Sequence, residues 1–218
     1  MKKIKLAVIA GTPYDTYLGK EYYSSQGYVV LSDYTSESPA EQNKLQYINP
    51  EQLQQITLNK IMKLKVAGAE AVIIYCNSLS AVLNKEDLSK NSDLPILTPL
   101  DVYQEISIAD SKKIAILAAN SQSAVKIEKI IAKNNSKLEF ITAGIMPIIN
   151  AIEAEVKPAD IYNNYGLKEL INSFYKMGAE QLILGCTHLP YLKNEININF
   201  EKIIDPADEI LEMLLKKC

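Results

Sequence analysis

Two of the three cysteines in this chain close near-identical stretches of sequence. Gly68-Ala69-Glu70-Ala71-Val72-Ile73-Ile74-Tyr75-Cys76 is echoed 110 positions on by Gly178-Ala179-Glu180-Gln181-Leu182-Ile183-Leu184-Gly185-Cys186. Each apolar run reads as a buried strand. Each cysteine then leads into a polar pair, Asn77-Ser78 in one copy and Thr187-His188 in the other. In an open parallel sheet, ligands collect outside the carboxyl ends of the strands. Helical segments expected from Leu79 to Leu88 and from Leu189 to Ile196 would add unpaired N–H groups and partial positive charge beside each sulfur. That setting lowers a thiol pKa from its reference of about 8.5. A thiolate on one side of a carbon and a thiol on the other can remove a proton from one face and return one to the opposite face. Two matched monoprotic groups suit racemisation of a carbon acid. The reading requires two similar lobes related by a pseudo-twofold axis, with both sulfurs reaching the cleft between them.

The residues around the pair sort by the same logic. His188, the only histidine, stands two positions from Cys186 and is a candidate for setting that thiol's protonation. Asp15, in Thr12-Pro13-Tyr14-Asp15-Thr16, is the candidate catalytic partner on the Cys76 side, and a turn or helix cap explains it equally well. Candidate carboxylate-binding residues are Asn77, Ser78 and Thr187, with Thr12 and Asn120-Ser121 in the short polar loops after the first strand of each half. Simpler readings compete. A buried cysteine commonly acts as a small hydrophobe. Cys186-x-His188 lacks the usual spacing of zinc ligands, so no metal site is expected. A redox disulfide would lack a Cys-x-x-Cys arrangement, and Cys218 has no partner motif.

The elements that must position these residues follow from hydrophobic pattern. Apolar, β-branched runs recur at Ile4 to Ala10, Tyr28 to Ser32, Ala71 to Tyr75, Ile96 to Thr98, Ile114 to Ala118, Glu139 to Thr142, Gln181 to Leu184 and Ile203 to Asp205. Such unbroken runs suit parallel strands buried on both faces. Helical spacing marks Pro50 to Ala67, Asn164 to Met177 and Pro206 to Leu215. Alternating strand and helix predicts an α/β fold of two similar parallel-sheet lobes. A second echo, of Lys2-Lys3-Ile4 in Lys112-Lys113-Ile114, supports internal duplication.

Bulk properties exclude several classes. The 218 residues are 48% hydrophobic and 22% charged, ordinary globular values. The net charge of −3, without a basic block, argues against nucleic acid as a partner. The apolar run near the start is at the bottom of the signal-peptide range and Lys5 interrupts the approach to it, so it reads better as a first buried strand, and no stretch approaches a membrane span. A cytoplasmic location with reduced thiols is expected. The eight glycines form neither a G-x-G-x-x-G fingerprint nor a P-loop, so no nucleotide cofactor is expected. No specific feature points to a pyridoxal phosphate lysine.

On these residues the chain resembles the aspartate/glutamate racemase superfamily, glutamate racemase most closely. Leu184-Gly185-Cys186-Thr187-His188-Leu189-Pro190 is similar to the second-cysteine motif, in which a histidine separates glutamate from aspartate racemases. Cys76-Asn77-Ser78-Leu79-Ser80-Ala81 resembles the first motif, Cys-Asn-Thr-Ala-Ser-Ala, with Ser78 in place of threonine. A weaker likeness runs through Thr98-Pro99-Leu100 and Ile114 to Val125. The resemblance implies one lobe over residues 1–97 carrying Cys76, joined by a returning 206–218, and another over 98–205 carrying Cys186. It also implies proton transfer by both cysteines without a cofactor, and a homodimer. Ala10-Gly11-Thr12-Pro13-Tyr14-Asp15-Thr16 departs from the family's Asp-Ser-Gly, and Ser32 to Tyr47 contains no Pro-Tyr-Gly. Those positions hold substrate in the family. The catalytic pair thus carries over better than the specificity, and glutamate is the first expectation for the small acidic amino-acid substrate with aspartate close behind. The alternatives are a two-lobed small-molecule sensor, or a related isomerase or decarboxylase of the hydantoin racemase or maleate isomerase type.

Overall fold

The computed structural model describes residues 4–106, 111–196 and 200–217, and Cys218 lies outside the described residues. The chain divides into two compact units, Met1–Pro99 and Leu100–Cys218, so the boundary follows Pro99 and the C-terminal helix groups with the second unit.

The first unit runs β1 (Lys5–Ala10), α1 (Pro13–Ser25), β2 (Val29–Tyr34), α2 (Pro39–Ile48), α3 (Pro50–Val66), β3 (Ala71–Ile74), α4 (Asn77–Val82), α5 (Lys85–Ser92) and β4 (Ile96–Leu97). Its four strands are parallel in the order β2-β1-β3-β4. After α6 (Pro99–Glu105), the second unit runs β5 (Lys113–Ala118), α7 (Ser121–Asn134), β6 (Glu139–Gly144), α8 (Met146–Glu153), α9 (Pro158–Asn164), α10 (Leu167–Lys176), β7 (Gln181–Gly185), β8 (Lys202–Ile204) and α11 (Pro206–Lys217). Its parallel order, β6-β5-β7-β8, repeats that of the first. All eight expected strands form. The central β3 and β7 are wholly or almost wholly buried, which is why their sequences show no polar alternation. In the second unit Ile114, Ile116, Ile127, Ile131 and Ile183 belong to one packed core, joined by Tyr103 from α6.

The repeated Gly-Ala-Glu has a structural cause. Gly68 (φ 94°) and Gly178 (φ 86°) take the left-handed conformation that stops the preceding helix. The glutamate that follows clamps the start of the neighbouring strand. Glu70 Oε2 accepts from the Lys5 amide and Glu180 Oε2 from the Lys112 amide, each at 2.8 Å. The sheet register sets Leu6 against Ala71 and Ile114 against Gln181. Structurally, therefore, Lys5–Ala10 answers Lys113–Ala118, and the echo of Lys2-Lys3-Ile4 in Lys112-Lys113-Ile114 is two residues out of step.

Three helical expectations are corrected. The segment from Leu79 to Leu88 is two short helices, because Asn84 starts α5 afresh by accepting from the Asp87 amide at 3.0 Å. The segment from Asn164 to Met177 breaks at Gly166, whose φ of 77° ends one helix before α10 begins. From Leu189 to Ile196 only a 3₁₀ turn forms, Leu189–Leu192. No helix among the described residues is long and apolar enough to cross a membrane.

At the end of β2, Asp33 ties α3 to the sheet. Lys60 and Lys63 donate to its two carboxylate oxygens at 2.8 and 3.0 Å, and Lys60 also lies over the Tyr34 ring. Burial pushes the Asp33 carboxyl up, but the lysine hydrogen bonds outweigh it and hold the group below its ordinary value. The carboxylate therefore contributes stability above its unfolded-state pKa of about 3.9, and that contribution is lost as pH falls through the lower folded value. Asp33→Asn should lower stability at pH 7 by about 1 kcal/mol, since the lysines are partly solvated. Chemical denaturation as a function of pH should show the deficit shrinking toward pH 3.

Candidate active site

Each cysteine leaves the sheet where its strand ends. Cys76 is the cap residue of α4, in extended backbone, and its carbonyl accepts from the Ser80 amide and hydroxyl. Cys186 follows β7 and leads into the 3₁₀ turn, its carbonyl accepting from the Leu189 amide at 3.0 Å. The expected helix N-terminus beside the thiol is thus present at Cys76 and absent at Cys186. Both are free, buried thiols. Among the described residues no His, Cys, Asp and Glu cluster could hold a metal ion.

At Cys186 an imidazole and a carboxylate lie in line behind the thiol. His188 Nδ1 lies 3.5 Å from the sulfur, and His188 Nε2 lies 2.7 Å from Glu153 Oε1. A carboxylate accepts, so Nε2 carries the imidazole proton and Nδ1 presents a lone pair to the thiol. His188 and Glu153 are both largely buried, which strengthens the pairing. Glu153 closes α8 and has no sequence relation to the Cys186 motif. Thr187 is buried, and its Oγ1 has no hydrogen-bond partner among the described residues. Behind the thiol, Tyr103 is held protonated well above the usual phenol range, first by burial, then by the negative charges of Asp205 and Cys186. Burial likewise raises Asp205, although the Ala207 amide donates to its Oδ1 at 3.0 Å.

At Cys76 a hydroxyl stands where Cys186 has an imidazole. Ser78 occupies the position equivalent to His188, with its Oγ 3.4 Å from Cys76 Sγ. Gln46 Nε2 donates to that hydroxyl at 2.9 Å, leaving its proton for the sulfur. Asn77 and Ser78 are buried. Gly11 adjoins the sulfur too, since a Cβ there would lie 3.6 Å from Cys76 Sγ.

The remaining candidates occupy structural positions. Thr12 caps α1 by accepting from the Asp15 amide at 3.2 Å. Asn120 caps α7 in the same way, its Oδ1 accepting from the Ser123 amide and hydroxyl. Ser121 is the exposed first residue of that helix. Asp15 is fully buried in the first turn of α1, where a carboxylate also complements the helix dipole. Sequence reasoning missed Glu153, and it missed Gln42 and Gln46, the two buried residues of α2. Their one sequence signal was a helix whose i, i+4 face carries glutamines.

Comparison with known proteins follows from this geometry. Residues 28–214 match the model of a family described as Asp/Glu/Hydantoin racemase. A glutamate racemase of Buchnera aphidicola subsp. Schizaphis graminum is 31% identical over 161 residues, covering 70% of this chain and 61% of that protein. The chain thus spans about three-fifths of the length of such curated relatives. The solved structure of a glutamate racemase isoform from Bacillus anthracis superimposes with a TM-score of 0.75 at 17% identity, over 99% of this chain and 82% of the other. An aspartate racemase from Picrophilus torridus gives 0.70 at 18%, over 98% and 94%. At these identities the structural likeness speaks for the fold.

Proposed function

The chain belongs to the Asp/Glu/hydantoin racemase family, and from that premise we propose that it racemises a small acidic amino acid, glutamate before aspartate, without a cofactor. The observation that carries this reading is the Cys186–His188–Glu153 path, with a second free thiol at the equivalent strand end of the other unit. His188 takes the Cys186 proton and shares it with Glu153, leaving a thiolate. That sulfur removes the Cα proton, forming an S–H bond and leaving the electron pair in the conjugated carboxylate. The Cys76 S–H then delivers its proton to the opposite face, and the Ser78 hydroxyl stabilises the thiolate left behind. The reverse reaction exchanges the two roles.

Asp15 is proposed as an acid–base partner on the Cys76 side. Asn77, Ser78, Thr187, Thr12, Asn120 and Ser121 are proposed to hold the carboxylates and amino group. Thr187 is the best supported, because its buried hydroxyl has no hydrogen-bond partner among the described residues. The preference for glutamate rests on the names of the curated relatives and on His188 in the second motif. The same reading makes the protein a cytoplasmic homodimer.

The test is proton NMR of single enantiomers of glutamate, aspartate and alanine in D2O with the purified full chain. The expected result is loss of the Cα–H signal with decay of the optical rotation toward zero for an acidic amino acid. Absence of exchange with both acidic substrates would overturn the proposal and favour a binding or sensor role.

A further inference from the structure

We infer that the side-chain amide of Gln42 is the carboxylate donor of the Cys76 site, a role that takes its ligand class from the racemase reading. Gln42 lies on α2 and is 5% exposed. Its Oε1 accepts from the Thr35 hydroxyl at 2.9 Å and from the Ser36 hydroxyl at 2.7 Å. Those two donors saturate the oxygen and fix the plane of the amide. Nε2 is left with no hydrogen-bond partner among the described residues. An unmade buried N–H is costly, and native proteins keep few of them. The amide also sits beside the reactive sulfur. Gln42 Cδ and Cys76 Sγ lie 3.2 and 3.6 Å from one point, the place a Cβ on Gly11 would occupy.

A Cβ on Gly11 would press against Gln42, so the glycine lets the amide-bearing side chain and the thiol approach the same stretch of backbone. Gln46, one turn further along the buried face of α2, reaches the same thiol through Ser78. The helix therefore turns amides, where a core helix would place apolar side chains, toward Cys76. A neutral amide binds a carboxylate by hydrogen bonding without adding the positive charge that would hold Cys76 as a permanent thiolate. The thiol can then still act as an acid. Thr35 and Ser36 are positioning residues for the amide.

Isothermal titration calorimetry on the full chain tests this with D-glutamate, L-glutamate, glutarate and alanine as probes. Gln42→Met keeps the shape and removes the donor, and should weaken carboxylate binding about tenfold or more, the scale of one hydrogen bond to a charged partner. Gln42→Glu should bind worst at neutral pH and recover on acidification, because a protonated carboxyl again donates while Met cannot. That rescue separates a donor role from a packing role. Gln42→Asn, one methylene shorter, serves if the Met variant does not fold. Gln42 dependence for alanine would assign the amide to the α-carboxylate, and dependence for glutamate and glutarate alone would assign it to the distal one. Unchanged affinity in Gln42→Met, no recovery of Gln42→Glu, or no binding of any probe to the wild type overturns the inference. Cα exchange in D2O is recorded on the same samples. Binding that depends on Gln42 without exchange rejects the racemase reading alone, and exchange with Gln42-independent binding rejects only the role of Gln42.

Discussion

Cys186→Ala should all but abolish inversion of both enantiomers, yet leave slow Cα–H washout from one of them. The remaining thiolate, Cys76, reaches only the face of the substrate turned toward it on the proposed reading. It can take that proton, exchange its own S–H with D2O and return deuterium to the same face. The enantiomer whose proton faces residue 186 meets no base. Cys76→Ala should show the mirror pattern, retaining washout from the opposite enantiomer only. Inversion should fall by about 10³–10⁴-fold in each variant, the upper part of the range for a positioned acid or base. Chiral chromatography of the products, alongside the NMR washout, reads both quantities from one reaction. Equal washout from both enantiomers in either variant would mean that one base serves both faces. The pairing of the two cysteines would then fail, even if racemase activity stood.

Much of this arrangement could be read before any coordinates. The eight strands announced themselves because parallel strands buried on both faces need continuous apolar runs. The Gly-Ala-Glu repeat was visible because a left-handed helix stop and a strand clamp are local demands on particular residues. His188 was found because it lies two positions from Cys186. Glu153 was not, because α8 brings it to His188 from 35 positions away and no local pattern marks it. Gln42 and Gln46 were passed over for a related reason. Periodicity searches look for apolar faces, and the face that α2 buries is polar. The expected helix after Cys186 failed on backbone grounds. Pro190 lies within the 3₁₀ turn, which ends at Leu192 and leaves Cys186 without an extended run of aligned peptide dipoles. On the proposed reading, the histidine and its carboxylate supply by proton transfer what the Cys76 side has from a helix cap and a hydroxyl.

That difference between the two thiols leads to the second large effect. Glu153→Gln should reduce washout from the enantiomer facing Cys186 by about 10²-fold, the lower end for a group acting through an acid–base residue. Washout from the other enantiomer should be little changed. The glutamine side chain keeps the contact with His188 but removes the charge that favours imidazolium. Transfer of the thiol proton to His188 then becomes less favourable. The Cys186 thiolate should consequently be harder to form, displacing the acid limb of that washout profile toward higher pH. The Cys76 limb should stay in place, because Glu153 acts through His188 and Cys76 is held instead by Ser78 and Gln46. The two enantiomers of a free amino acid are equal in energy, so kcat/KM must remain equal in the two directions in every variant. Steady-state racemisation alone would therefore conceal the asymmetry, and the comparison has to be made on proton washout. His188→Asn should behave as Glu153→Gln does, and the double variant should lose little more than either single one, since the two act as one path. Additive losses in the double variant would mean that Glu153 acts on the substrate directly, and an unshifted Cys186 limb would remove the carboxylate from the proton path altogether.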